Sequence, residues 1–193
     1  GTYKTMHPSG PKSDYEYRLL TMDRAMLGGI NDVGIGVLFG LHPYKFDVLG
    51  MLFHAQHLDE TFGTGPHTLS VPRIEPAQGA PAALNPPCAV TDSQFKKIVA
   101  VLRMSVPYTG MILSTRENPQ LRADLLDLGI SQMSAGSRTE PGGYSNTQQA
   151  TAQFSVGDAR TLDEVIADIA RHGYVPSFCT GCYRKGRTGQ DFM

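Results

Sequence analysis

Apolar positions along this chain alternate between two spacings, one of 3.6 residues and one of short continuous runs. Tyr15, Leu19, Met22 and Met26 recur at helical intervals after a capping Ser13 or Asp14, and Gly28-Gly29 closes the stretch, which predicts a helix over 14–28. Residues 1–12, through Pro8-Ser-Gly-Pro11, read as loop. Asp32 to Gly40 is a short apolar run bounded by glycine, the signature of a strand buried on both faces. A helix over 44–61 follows, closing at Phe62-Gly63. His67 to Ile74 reads as the second strand, bent near its end by Pro72. A Pro/Ala-rich loop over 76–90 leads to a helix from a cap at Thr91 or Asp92 to Ser105. Thr109 to Thr115 is the third strand, 118–128 a helix, and Ile130 to Ser134 the fourth strand. Ser137 to Thr151 is a Gly/Ser/Thr loop, and Leu162 to Ala170 is a last helix that stops at His172-Gly173.

Strict alternation of strand and helix demands a parallel sheet with right-handed crossovers. Four strands cannot close a barrel of eight, so the pattern predicts an α/β half-barrel over 1–173 with a separate tail over 174–193. The first and fourth strands of such a half would carry unpaired edges, which proteins seldom leave exposed. Self-association through those edges is the expectation.

Composition narrows the function classes. The 193 residues hold 17 Lys and Arg against 18 Asp and Glu, so no basic field argues for nucleic acid. Charged residues are 18%, with 21 glycines and 13 prolines, a loop-rich enzyme composition and not that of a bundle or a disordered segment. No apolar run approaches the roughly 20 residues of a membrane helix and no signal peptide opens the chain. Three cysteines are too few for a disulfide framework, which favours a reducing, cytoplasmic setting.

Chemistry in parallel α/β cylinders gathers at the C-terminal ends of the strands. The residues there are Gly36 and Gly40, then Arg73-Ile-Glu75, then Ser114-Thr-Arg116-Glu117, then Ser134-Ala-Gly-Ser137-Arg138. Two arginines, a glutamate and several hydroxyls suit an amino acid, since a guanidinium grips a carboxylate bidentately and a carboxylate takes an ammonium. The competing reading makes Arg73–Glu75 or Arg116–Glu117 rim ion pairs. Gly34, Gly36 and Gly40 permit either close approach by a ligand or tight strand packing. His54 and His57 share a helix face near the N-terminal mouth, where His67 also begins its strand. They suit a second site there, or are structural. Cys88 reads as a small loop residue. Cys179 and Cys182 form a Cys-x-x-Cys whose thiolates would converge on one metal or cluster. A redox dithiol would instead need a thioredoxin-like βαβ context, which this tail lacks.

These strings together resemble a known family. His7 to Tyr15, Asp32 to Gly40, Gly65-Pro-His-Thr68, Pro72-Arg-Ile-Glu-Pro76, Pro107 to Glu117, Ser134-Ala-Gly-Ser-Arg138 and the cysteine tail are similar to the radical S-adenosylmethionine tyrosine lyases that mature [FeFe]-hydrogenase, the HydG family. The thiamine-pathway tyrosine lyase is a related alternative. The resemblance implies the C-terminal half of a (β/α)8 radical-SAM barrel and the start of a C-terminal cluster segment. It implies S-adenosylmethionine, two [4Fe-4S] clusters and a labile iron in the full-length enzyme, with tyrosine cleaved to p-cresol and dehydroglycine and then CO and cyanide made for hydrogenase maturation proteins. It implies Arg18 for the S-adenosylmethionine carboxylate, Gly34, Gly36 and Gly40 along the adenine, and Arg116 with Ser134 for tyrosine. It further implies Cys179 and Cys182 for the second cluster and His57, or alternatively His67, for the iron. The N-terminal cluster motif is absent from these residues, so the chain alone is expected to be inactive. A non-catalytic module that binds a small carboxylate or an iron fragment is the rival reading.

Overall fold

Asp14, Thr91, Asn118 and Thr161 each accept a hydrogen bond from the backbone N–H three residues on, and a helix opens at each. At Thr91 and Thr161 the third helical residue, Gln94 or Glu164, returns the bond to the cap's own N–H, completing a capping box. The computed structural model describes residues 1–30, 32–77, 79–140, 142–144 and 153–178. Its elements are α1 (Thr2–Met6), α2 (Tyr15–Leu19), α3 (Thr21–Leu27), β1 (Gly34–Gly36), α4 (Tyr44–Phe62), β2 (Thr68–Ser70), α5 (Pro81–Leu84), α6 (Asp92–Ser105), β3 (Gly110–Leu113), α7 (Pro119–Asp127), β4 (Gln132–Met133) and α8 (Leu162–Arg171).

The strands lie in the order β1-β2-β3-β4, all parallel. This is the half-barrel arrangement that the alternating pattern predicts. Leu69, Met111 and Leu113 point to one side and pack with Met51, Ala55 and Leu58 of α4, Phe95, Ile98 and Leu102 of α6, and Leu125 of α7. Each of the Leu, Ile, Phe and Met side chains among them, fully buried, contributes roughly 1.5–3 kcal/mol.

The other side of the sheet is different in kind. Gly34, Thr68 and Gly110 stand in one cross-strand row, and Gly36, Ser70, Ile112 and Gln132 in the next. Glycines and polar residues, with Ile112 among them, therefore occupy the face away from the helices, the position of a barrel interior. This corrects one expectation: β1 is buried at Ile35 alone, with Gly34 and Gly36 exposed, because it is an edge strand covered on one face only.

Three local expectations also change. The 14–28 helix is two helices meeting at Leu20, where Arg24 Nη2 and Thr21 Oγ1 donate to the Tyr17 carbonyl and draw it off the helical ladder. Residues 2–6 form α1 and not loop, and the Pro/Ala-rich loop contains α5, whose first residue, Pro81, suits a helix start. Gly63 closes α4 in the left-handed conformation, φ 69°, as its place after Phe62 predicts.

Candidate functional site

Beyond β1 and β2 the chain keeps one more parallel contact, Phe39 with Arg73. Phe39 N–H donates to the Pro72 carbonyl at 2.9 Å and Ile74 N–H donates back to Phe39 at 2.9 Å. Pro72 has no N–H to lose and sits where the regular ladder ends, so Arg73 and Glu75 project from the C-terminal rim.

Arg73 is fully engaged there. Its Nε donates to Glu117 Oε1 at 3.0 Å and its Nη2 to Glu117 Oε2. Nη1 reaches Asp92 and the Val90 carbonyl, both at 2.8 Å, and the guanidinium covers the Phe95 ring. Burial works against the charge, but the bonds to Glu117 and Asp92 outweigh it and raise the Arg73 pKa. The Glu117 side chain is 3% exposed, so this pair is a buried closure of the rim. Neither pairing that the local strings suggest, Arg73–Glu75 or Arg116–Glu117, forms.

What remains is Arg116 and Glu75. Both are half-buried, and neither makes an ion pair or a side-chain hydrogen bond among the described residues. Arg116 lies flat on Phe154, its Cζ 3.7 Å from the ring centroid. Burial lowers its pKa, against the attraction of Glu75 and Glu117. Burial also pushes the Glu75 carboxyl above the usual range, with help from Glu117 and against Arg73 and Arg116. One cation and one carboxylate of raised pKa, neither in an ion pair among the described residues, thus share the mouth. Ser114 Oγ accepts from the Arg116 backbone N–H at 3.4 Å, which turns the chain after β3. Ser134 is half-buried at the end of β4, and its carbonyl accepts from Arg122 Nη2.

The loop over 153–160 covers this rim, and sequence reading missed it. Gly157 and Asp158 both donate to the Thr115 carbonyl, at 2.9 and 3.0 Å, and Ser155 N–H donates to Pro76 at 3.1 Å. A side chain at Gly157 would strike the Arg116 backbone carbonyl, so only glycine lets the loop lie this close. Asp158 is buried and pairs with Arg122 of α7 and with Arg160. Arg122 sits among the buried residues of α7 and Asp158 follows Gly157 in a loop; neither string signals the other.

The remaining candidates are spread more widely. Arg18 is exposed on α2. A side chain at Gly34, Gly36 or Gly40 would meet Thr68, Ser70 or Ile74, so strand packing alone accounts for these glycines. His57 Nε2 lies 2.5 Å from Asp23 Oδ1, and His67 Nδ1 3.7 Å from Asp32. Among the described residues no three His, Cys, Asp or Glu side chains converge as a metal site. Cys179 and Cys182 lie outside the described residues. A larger cavity, about 580 Å³, runs along the free edge of β1 under Tyr3 and Tyr15, with Ile35, Phe46 and Met51 among its walls. Among the described residues no helix is long and apolar enough to cross a membrane.

Comparison with known proteins places this geometry. Residues 70–175 match the family described as the Biotin and Thiamin Synthesis associated domain. The chain is 32% identical over 176 residues to the 2-iminoacetate synthase of Escherichia coli (strain K12), covering 91% of this chain and 46% of the relative. A crystal structure of HydG, a maturase of the [FeFe]-hydrogenase, superposes with a TM-score of 0.90 at 55% identity, covering 99% of this chain and 41% of that one. The HydG of Carboxydothermus hydrogenoformans gives a TM-score of 0.81 at 47% identity, over 95% of this chain and 42% of its own. The chain thus spans about half the length of the curated relatives it matches.

Proposed function

The chain belongs to the Biotin and Thiamin Synthesis associated family, and from that membership and the rim geometry we propose that it is the substrate-gripping half of a radical S-adenosylmethionine tyrosine lyase. The observation that carries this reading is the pair left over at the rim, on adjacent strand ends: among the described residues neither Arg116 nor Glu75 forms an ion pair, though each feels the other's charge. An α-amino acid supplies both missing partners. Arg116 takes its carboxylate through two in-plane N–H groups and Glu75 takes its ammonium. Ser114 touches the Arg116 backbone at the end of β3, Ser134 follows β4, and Arg73 contributes by occupying both Glu117 oxygens.

Similarity to HydG and to 2-iminoacetate synthase supports a radical S-adenosylmethionine tyrosine lyase in the setting of hydrogenase maturation; in this reading p-cresol, dehydroglycine, CO and cyanide are the products. The radical is supplied by S-adenosylmethionine and its cluster. In this reading Arg18 and the Gly34–Gly40 segment face that cofactor, and Cys179 and Cys182, in a tail over 174–193, hold part of a second cluster. His57, or His67, would meet a labile iron. The described residues by themselves do not fit a metal, since no three ligating side chains converge and His57 faces Asp23, so no step through a cluster is assigned to them. Their work is to bind and orient. The similarity to 2-iminoacetate synthase keeps the thiamine-pathway lyase as the second reading; detection of CO and cyanide from the full polypeptide separates the two.

Arg116→Ala in the full polypeptide tests the grip. Loss of a charged hydrogen-bonded pair weakens tyrosine binding by about 1.5–3 kcal/mol, and calorimetry against wild type reads it. Unchanged affinity would remove the assignment and leave the rival, a module that binds some other small anion.

A further inference from the structure

We infer that Phe154 is a positioning residue for the substrate-binding guanidinium, an inference that rests on the reading of Arg116 as the carboxylate grip. Arg116 has no hydrogen-bonded partner among the described residues to fix its side chain, and Phe154 is the aromatic surface on which it lies. A guanidinium stacked on a ring keeps all its N–H groups in its own plane, free to point at a bidentate acceptor. The ring therefore orients the cation without consuming a donor.

The alternative resting place is a carboxylate. Both Glu117 oxygens are bonded to Arg73, so of the two carboxylates whose charge draws Arg116, Glu75 and Glu117, Glu75 is the one with oxygens open to it. Collapse of Arg116 onto Glu75 would satisfy both charges and close the mouth to a zwitterion. Phe154 opposes that collapse because its own backbone is tied down on two sides. Thr139 Oγ1 donates to the Phe154 carbonyl at 2.9 Å, and the flanking Gln153 and Ser155 N–H groups donate to Thr139 and Pro76 at 3.0 and 3.1 Å. Three residues on, Gly157 and Asp158 fasten the loop to the end of β3 at Thr115, the residue before Arg116. The platform and the cation it carries are thus anchored to the same strand end.

Three variants of the full polypeptide, Phe154→Leu, Phe154→Tyr and Arg116→Ala, titrated with tyrosine and with tyramine, which lacks the carboxylate, test this. Phe154→Leu keeps an apolar side chain but removes the ring; it is expected to weaken tyrosine about three- to tenfold and leave tyramine unchanged. Phe154→Tyr restores tyrosine binding. A purely structural role would weaken both ligands alike in Phe154→Leu, and that result, or no loss at all, overturns the inference. If Arg116→Ala erases the preference for tyrosine while Phe154→Leu retains it, the carboxylate grip stands and the Phe154 role falls. If Arg116→Ala also changes nothing, the grip itself is wrong.

Discussion

Replacing Asp158 by Asn removes one charge from the most buried ionic contact in the described structure. The Asp158 side chain is 0% exposed and that of Arg122 1%. Asp158 Oδ2 faces Arg122 Nη1 and accepts from Arg160 Nη2 at 2.7 Å, while Oδ1 accepts from Arg160 Nε at 2.9 Å and from its backbone N–H at 3.1 Å. Asparagine keeps the shape but leaves Arg122 buried without an anion, and Arg122 Nε already lacks a partner. Removing one member of a buried pair costs about 3–5 kcal/mol. Arg122 keeps the Ser134 carbonyl and Arg160 keeps Asp168, so the lower end applies. For a chain of this size about 3 kcal/mol corresponds to a fall of about 6–12 °C in Tm.

The pH dependence has a defined sign. Burial raises the Asp158 carboxyl, but the hydrogen bonds from Arg160 and the charge of Arg122 overcome that and hold it below the usual carboxylate range. A depressed folded pKa contributes stability that is present above the unfolded value, about 3.9, and is lost as pH falls through the folded one. Urea unfolding followed by circular dichroism should therefore show the full gap between wild type and Asp158→Asn at neutral pH, closing at pH values below about 4. Arg122→Met combined with Asp158→Leu should recover only part of the loss, since Arg122 is no longer stranded but Arg160 gives up its bonds to Asp158 and keeps Asp168 alone. A gap below about 1 kcal/mol at neutral pH, or one that persists unchanged into acid, would show that the pair does not hold the loop.

Glu75→Gln tests the ammonium half of the grip: the raised carboxyl pKa means tyrosine binding declines, as pH falls, above the ordinary glutamate pKa of about 4.3, and the variant should lose that acid limb along with affinity. A limb that survives in Glu75→Gln belongs to another group. β1 and β4 are the edge strands of the described sheet, and sheet edges predict self-association of the 193-residue chain; a sedimentation profile that stays monomeric at micromolar concentration would refute it. The Cys179→Ser, Cys182→Ser double variant should bind less iron and sulfide than wild type after anaerobic reconstitution; equal iron would remove the cluster assignment.

Much of the fold was legible because its signals are local. Asp14, Thr91 and Gly63 mark helix ends by their own chemistry, and the alternation of strand and helix permits one sheet topology. The failures came where the decisive contact was distant or the local signal absent. Helix α1 has no side-chain cap and buries no residue, so no periodicity announces it. The break at Leu20 depends on Arg24 reaching back seven residues to the Tyr17 carbonyl. Burial of β1 was overread because a glycine-bounded apolar run looks the same in a central strand and in an edge strand whose glycines make room for Thr68 and Ser70.

The rim shows why a site can be half legible. Arg73 and Glu75 are separated by one residue, and Arg116 and Glu117 are adjacent, so the sequence presents two local pairs that would cancel each other and leave nothing for a ligand. Parallel pairing of β2 and β3 in register brings the two strings side by side and lets Arg73 cross to Glu117 instead. The two glutamates then have unlike fates: Glu117 is buried with both oxygens taken, and Glu75 remains open with its pKa raised. The exchange leaves one charge of each sign on neighbouring strands, the arrangement that an amino acid needs and that neither string contains alone. Phe154, about forty residues downstream in a loop, carries the Arg116 guanidinium on its ring, and on our proposal keeps the two leftovers from pairing with each other. In the proposed reading, binding capacity arises from the register of two strands and one ring.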